Sequence, residues 1–154
     1  MTPDQRALRD RFASTPDRAV AATLGAGADP DEPPRPGEWS AREVVRHLIA
    51  VELAVWQARF DALASETFPI WPWVEPGLWL GPGLDTFADA TARFGEVRGA
   101  SVARLDRLDA PGWERSGRHL TYGVLDVAAL LRIALDHDAE HLAQIAGSGR
   151  QSPP

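Results

Sequence analysis

The stretch Asp136-His137-Asp138-Ala139-Glu140-His141 lies inside an apolar helical pattern that runs from residue 127 to residue 146. Helical residues advance by about 100° each, so His137 and His141 project from the same side of this helix, one turn apart. The apolar residues on or near that side are Leu130, Ile133 and Ala134. The two imidazoles therefore occupy positions where a helix that faces a core normally carries aliphatic side chains.

A third histidine, His47, lies on a second apolar stripe, beside Val44, Leu48 and Val51. The segment Ser40–Glu43 has the pattern of a capping box and predicts a helix from there to about residue 64. An unsatisfied buried imidazole costs about 1–3 kcal/mol. One shared divalent ion would satisfy a nitrogen of each ring, whereas a hydrogen bond to a backbone carbonyl or carboxylate is the simpler alternative for each ring alone. His47, His137 and His141 are the candidate metal ligands.

Four helical patterns in all predict an all-α four-helix bundle. The first begins at Thr2-Pro3 and runs to Gly25, with a kink or a fresh start at Thr15-Pro16. The third begins at an Asp85 cap and continues to Leu108, where Pro111-Gly112 ends it, and Asp126 is the expected cap of the fourth. The tryptophan-rich linker 66–84 predicts a long crossover between helices 2 and 3.

Composition limits the class of protein. The chain has 154 residues, a net charge of −6 and no cysteine. We expect one domain over residues 1–147 and a disordered tail over 148–154. The acidic charge argues against nucleic acid and membrane surfaces as partners, and the absence of a secretory or membrane-spanning pattern predicts a cytoplasmic protein. Without cysteine, any thiol chemistry needs a small-molecule thiol.

A family resemblance rests on several of these residues in order along nearly the whole chain. They are Glu38-Trp39-Ser40, Glu43, His47-Leu48, Glu52, Arg115-Ser116-Gly117, Gly123 and the run His137–Ile145. This pattern resembles the DinB-like superfamily, which includes bacillithiol transferases and is related to mycothiol-dependent maleylpyruvate isomerases.

The resemblance implies a bundle of up-down-down-up order, commonly a homodimer. It also implies a metal ion, often zinc or nickel, held by one histidine of the second helix and two of the last. In this sequence those positions are His47, His137 and His141.

Several other residues are weaker candidates for a role near the metal. Gln144 lies one turn after His141 and is expected to hydrogen-bond inside the site, and Asp136 is a candidate to orient an imidazole. Glu52 is turned away from His47 and is interpreted as a solvated or ion-paired carboxylate. Asp138 and Glu140 are interpreted as solvated surface residues.

The loop before the last helix offers Arg115 and Arg118 as candidates for binding an anionic cofactor or substrate, although exposed loop charges are the simpler interpretation. His119 in the same loop is not expected to be a fourth ligand. Trp71, Trp73 and Trp79 are candidates to cover a pocket mouth or a dimer interface, and Trp39 is interpreted as packing at a helix entry.

Two functions from different classes follow. Three histidines leave an open coordination position, which favours a metal-dependent transferase that uses a low-molecular-weight thiol on small electrophiles, with metal-dependent hydrolysis as the alternative reaction. The other class is a non-catalytic helical module that binds a metal or a small ligand.

Overall fold

A computed structural model of the protein describes residues 1–147, and the predicted tail 148–154 lies outside the described residues. The described chain is mostly helical and forms a four-helix bundle, as predicted. The single-domain assignment stays a prediction. No helix within residues 1–147 is both long enough and apolar enough to cross a lipid bilayer.

The first bundle helix consists of α1 (Pro3–Ala13) and α2 (Thr15–Ala26). Thr2 and Gln5 form a capping box at the start of α1. Pro16 lies in the first turn of α2, where its missing N–H removes no helical hydrogen bond. The proline therefore marks a fresh start after Ser14, which is one of the two predicted possibilities.

The second bundle helix begins at Ser40, whose side chain accepts a hydrogen bond from the backbone N–H of Glu43 in the predicted capping box. It consists of α3 (Ala41–Val51), a π-helical segment (Glu52–Gln57, the π segment below) and α4 (Ala58–Ser65). The sequence pattern does not reveal the π segment. Such segments change which side chains face the core, and they are frequent at functional sites.

The third bundle helix, α5 (Phe87–Asp106), starts one residue later than predicted. Its cap is Thr86 and not Asp85, because Thr86 forms a complete capping box with Asp89. The assignment of Pro111-Gly112 as the end of this helix is also wrong. Pro111 lies in the first turn of a separate short helix, α6 (Ala110–Glu114), which Asp109 caps.

The fourth bundle helix, α7 (Val127–Ile145), begins at the predicted cap: the Asp126 carboxylate accepts a hydrogen bond from the Ala129 N–H. The segment before it is not a simple loop. Strands β2 (Ser116–His119) and β3 (Gly123–Asp126) form an antiparallel hairpin, and β1 (Ile70–Trp71) from the long linker pairs parallel to β2. Strands this short leave no alternation that a sequence pattern could show.

The directions of the bundle helices follow from contacts near their ends. Arg9 of the first helix pairs with Asp106 at the end of the third, so these two are antiparallel. Arg42 bonds the carbonyl of Asp85 just before the third helix, and Asp61 pairs with Arg104 near its end, so the second and third are parallel. The ring contact of His47 with His141 places the start of the second helix beside the end of the fourth. Residues 66–86 connect the two parallel helices.

Two apolar clusters fill the bundle. One surrounds Phe12, Phe60 and Trp113, and the other surrounds Ile49 and Phe94. Polar residues lie near the level at which the two clusters meet. Arg98 lies between them on the third helix, His137 and Asp138 lie between them on the fourth, and His47 and Glu52 flank the boundary on the second. The bundle therefore contains a polar layer between two apolar ones.

Candidate metal centre

The three predicted histidines converge in the polar layer. The ring centroids of His47 and His137 are 5.6 Å apart, those of His47 and His141 are 4.8 Å apart, and those of His137 and His141 are 4.5 Å apart. One nitrogen from each ring lies within 4.8 Å of the other two, so the group can hold one metal ion. Helix α7 supplies two of the rings one turn apart, and α3 supplies the third from the opposite helix.

Hydrogen bonds set which nitrogen each ring presents. Nδ1–H of His47 donates to the carbonyl of Gly77 at 3.3 Å, and Nδ1–H of His141 donates to Oε1 of Gln144 at 2.9 Å. In both rings this leaves Nε2 as the unprotonated nitrogen, because a neutral imidazole carries one proton. Gln144 therefore has the role within the site that its position predicts.

Burial keeps the rings of His47 and His137 neutral. Burial, and secondarily the neighbouring His141, lowers the pKa of His137 to about 3. Burial and then His141 likewise lower the pKa of His47. Neutral imidazoles are the form that binds a metal ion, so no proton has to leave these two rings at pH 7.

The chemistry of His47, His137 and His141 is suitable for binding a metal ion. Nδ1 of His137 is buried and has no hydrogen-bond partner within residues 1–147, which is a cost that a ligand at the site can remove. The cluster contains three imidazoles and no carboxylate. Three nitrogen ligands suit zinc or nickel and leave a coordination position open.

A cavity of about 270 Å³ lies against the imidazoles. His47 and His137 form part of its wall, the aromatic residues Trp56, Trp73 and Tyr122 form another part, and Arg59 lies among them. Glu75, Asp136 and Glu140 also line the cavity and are exposed. Two of the three clustered imidazoles, those of His47 and His137, therefore face a concave pocket with aromatic walls and a few polar groups.

A second polar cluster corrects the interpretation of Asp138 as a solvated surface residue and decides between the two alternatives for Glu52. Asp138 is completely buried and not solvated: its carboxylate accepts hydrogen bonds from Arg98 at 2.8 Å and from the Thr15 hydroxyl at 2.8 Å. Glu52 is also completely buried and pairs with Arg98 at 2.8 Å, so it is ion-paired and not solvated. We call these four residues the charged cluster.

The sequence patterns conceal this cluster because a helix that is packed on several sides buries more than one stripe. Position 138 of α7 faces the first and third helices, whereas position 137 faces the second.

The other candidates occupy different places. Glu140 is exposed as predicted, and Asp136 lines the cavity without a hydrogen bond to an imidazole within residues 1–147. Arg115 and Arg118 are exposed and do not line the cavity. His119 lies in strand β2, fully buried and outside the histidine cluster.

The linker tryptophans divide between roles. Trp71 is buried in the first apolar cluster, Trp73 lines the cavity, and Trp79 packs against the second apolar cluster. Trp39 packs at the helix entry as predicted, and its ring centroid is also 5.2 Å from that of His47.

Sequence reasoning missed two residues of the site, Trp56 and Arg59. Trp56 lies in the π segment, and its ring centroid is 6.3 Å from that of His137. Arg59 follows in α4 and is 6% exposed. An isolated arginine in an amphipathic pattern reads as a surface residue, so no signal in the sequence separates Arg59 from the others.

Comparison with solved structures shows the fold. YfiT from Bacillus subtilis, described as "a probable metal-dependent hydrolase with an unusual four-helix bundle topology", superposes with a TM-score of 0.71. The two chains share 20% sequence identity, and the match covers 96% of this chain and 87% of YfiT. No curated protein matches this sequence.

The sequence itself matches the family model of the DinB superfamily over residues 5–145. This range includes all four bundle helices apart from two residues of α1, and it includes the three clustered histidines. The chain belongs to the DinB superfamily.

Proposed function

We propose that this protein is a metal-dependent enzyme that hydrolyses a small molecule bound in the cavity beside His47 and His137. The observation that carries the proposal is a cluster of three imidazoles that opens onto a pocket, with the rings of His47 and His137 held neutral by burial. A divalent ion in such a cluster lowers the pKa of a coordinated water or thiol and so supplies a nucleophile near neutral pH.

The residues of this chain have separate tasks in the proposal. His47, His137 and His141 hold the ion, and Gly77 and Gln144 orient two of the rings by accepting their Nδ1 protons. Trp56 and Trp73 form apolar walls that orient a substrate and exclude water. Glu75, Asp136 and Glu140 are carboxylates at the pocket, and they are the candidates to accept a proton from the attacking group.

The size of the cavity favours hydrolysis. At about 270 Å³ it lies just below the usual range for ligand pockets, roughly 300–1,000 Å³. One small substrate and a water fit this space more readily than a thiol cofactor together with an electrophile. YfiT, which shares the fold, is itself described as a probable metal-dependent hydrolase.

A second candidate reaction is transfer of a low-molecular-weight thiol to a small electrophile, as the sequence analysis predicts. The absence of cysteine supports it, because the chain has no thiol of its own and the nucleophile would come entirely from the cofactor. The cytoplasmic location and the homodimer stay predictions.

Metal content tests the site first. Purified protein should carry about one divalent ion per chain, measured by elemental analysis, and His137→Gln should lose it. His119→Gln is the matched control, since His119 lies outside the cluster, and it should retain the ion. Full occupancy in a triple variant of His47, His137 and His141 would refute the assignment.

Activity of the metal-loaded protein tests the reaction. We expect hydrolysis of some member of a panel of small esters, amides and lactones, and we expect His137→Gln to abolish it. Turnover of electrophiles only when bacillithiol, mycothiol or glutathione is added would replace hydrolysis by thiol transfer. A bound metal with no turnover in either panel would favour the non-catalytic binding module.

A further inference from the structure

Arg59 is a buried cation without an anion. Arg59 and Arg98 are the two arginines that are buried within residues 1–147, at 6% and 1% exposure. Arg98 has carboxylates on two sides, whereas no ion pair within residues 1–147 involves Arg59. Burial lowers the pKa of Arg59, but a guanidinium remains charged at pH 7. No carboxylate within residues 1–147 therefore neutralises its charge, and the guanidinium carbon lies 5.5 Å and 6.0 Å from the ring centroids of Trp56 and Trp71, two weaker cation–π contacts.

The polar contacts of Arg59 do not satisfy it. Within residues 1–147 its hydrogen bonds involve only Nη2, which lies 3.4 Å from the carbonyl of Pro72 and 3.0 Å from Nε2 of His119. Nδ1 of His119 accepts from the backbone N–H groups of Thr121 and Tyr122. Neither contact of Nη2 supplies a negative charge, because one partner is a backbone carbonyl and the other is an uncharged ring. The pKa of His119 is lowered by its burial and by Arg59, which keeps the ring neutral.

A further unsatisfied donor lies in the same wall. The indole Nε1–H of Trp56 is buried and has no acceptor within residues 1–147. The ring of Trp56 lies 5.5 Å from the guanidinium carbon of Arg59, and its centroid is 6.3 Å from that of His137. This wall of the cavity is rich in donors and poor in acceptors, and it lies next to the imidazole cluster.

We propose that Arg59 binds the carboxylate of a small-molecule ligand in this cavity, with the rest of the ligand directed toward the three histidines. A carboxylate matches the planar donor geometry of a guanidinium and supplies the missing negative charge. The exposed carboxylates of Glu75, Asp136 and Glu140 repel additional negative charge on the ligand, so a monocarboxylate fits better than a polyanion. That this ligand is the substrate rests on the proposed function.

The test measures binding to metal-free protein, so that a carboxylate cannot bind to an ion instead. The probes are acetate, benzoate and phenylacetate, each compared with its neutral amide, by calorimetry at low ionic strength. We expect at least one carboxylate to bind more tightly than its amide. Arg59→Met should weaken the binding of that carboxylate on the order of 10- to 100-fold, since charge-assisted hydrogen bonds are lost. The amide should be unaffected.

Two further variants keep the test decisive. Arg59→Lys retains the charge without the planar fork and should give an intermediate loss, which also covers the case in which Arg59→Met does not fold. Arg132→Met removes an exposed arginine from α7 and should bind as the unmodified protein does. Equal binding of the carboxylate to the Arg59 variants and to the unmodified protein, or no preference of the unmodified protein for any carboxylate, overturns the proposal.

His137→Gln separates this proposal from the metal site. It should lose the ion and still bind the carboxylate through Arg59. If the unmodified protein binds no metal ion, the proposed function alone is refuted. If carboxylate binding does not depend on Arg59, this inference alone is refuted.

Discussion

His137 and Asp138 are neighbours in the chain, yet they belong to two polar clusters that differ in almost every physical respect. His137 joins two other imidazoles at the edge of a cavity. Asp138 joins the charged cluster, in which a single guanidinium pairs with two carboxylates and none of these residues lines the cavity. Both clusters lie between the same two apolar clusters.

The difference is between a cluster that is closed inside the bundle and a cluster that faces a pocket. The ion pairs and hydrogen bonds of the charged cluster lie inside the bundle, and they connect its four helices through Thr15, Glu52, Arg98 and Asp138. The imidazole cluster faces a pocket, and Nδ1 of His137 has no hydrogen-bond partner within residues 1–147. Atoms of Glu52 and Arg98 also lack hydrogen-bond partners there, but these residues lie away from the pocket and pair with each other. A buried polar group at a pocket wall is the one that a ligand can reach.

The charged cluster should produce the largest change in stability. Arg98→Ala leaves two buried carboxylates without a counter-ion, so the free energy of unfolding should fall by about 3–5 kcal/mol. Denaturant titration measures this fall in the free energy of unfolding. Arg93→Ala on the same helix removes an exposed ion pair with Glu96 and should change the value by less than about 1 kcal/mol. Equal losses in the two variants would contradict the structural role of the charged cluster.

A metal ion should stabilise the protein through the imidazole cluster and not through the charged cluster. Zinc or nickel at about 100 times its dissociation constant should raise the free energy of unfolding by about 2.7 kcal/mol. His137→Gln should show no such gain, whereas Glu52→Gln should keep it. Thermal or chemical unfolding with and without metal gives the comparison. A metal-dependent gain in His137→Gln would show that the ion binds elsewhere.

The two clusters should respond to pH in opposite directions in the metal-free protein. Burial raises the pKa of Glu52 from 4.5 to about 7, although the attraction of Arg98 acts in the opposite direction. The stabilising contribution of Glu52 to the free energy of unfolding is therefore complete below pH 4.5 and is lost as pH rises through about 7. The pKa of His137 falls from 6.5 to about 3, so its contribution is present above pH 6.5 and is lost as pH falls. Between pH 4.5 and 6.5 the two effects oppose each other.

Two variants separate these effects. Relative to the unmodified protein, Glu52→Gln should gain about 1–3 kcal/mol in unfolding free energy between pH 4.5 and 7.5. His137→Gln should instead gain relative stability as pH falls below 6.5. The measurement is the free energy of unfolding of the three proteins across this pH range. Parallel plots of this free energy against pH for all three would contradict the assigned pKa shifts.

The smallest effect concerns the orientation of the His141 ring. Gln144→Ala removes the acceptor for Nδ1–H of His141 and should weaken metal affinity about 10-fold. Gln144→Glu retains an acceptor and should retain the affinity. Competition with a chromogenic chelator measures both, and unchanged affinity in Gln144→Ala would show that this hydrogen bond does not position the ring.

Much of the fold and of the histidine cluster follows from local rules. The helix start at Thr2, the capping box at Ser40 and the Asp126 cap lie where the sequence predicts, because a cap depends on residues a few positions apart. The positions of His47, His137 and His141 on apolar stripes predict their convergence, which the structure shows. The hairpin before α7 and the π segment escape prediction, because their hydrogen bonds depend on packing partners.

The sequence by itself determined the helical class, the family and the three histidines, since periodicity and spacing are properties of neighbouring residues. Only the tertiary structure decided which polar residues share a cluster. It buried Asp138 and Glu52 against Arg98, and it placed Arg59 at the cavity wall, where no ion pair within residues 1–147 involves it. Charge compensation in a protein interior depends on which helices meet, and residues far apart in sequence carry no local trace of that encounter.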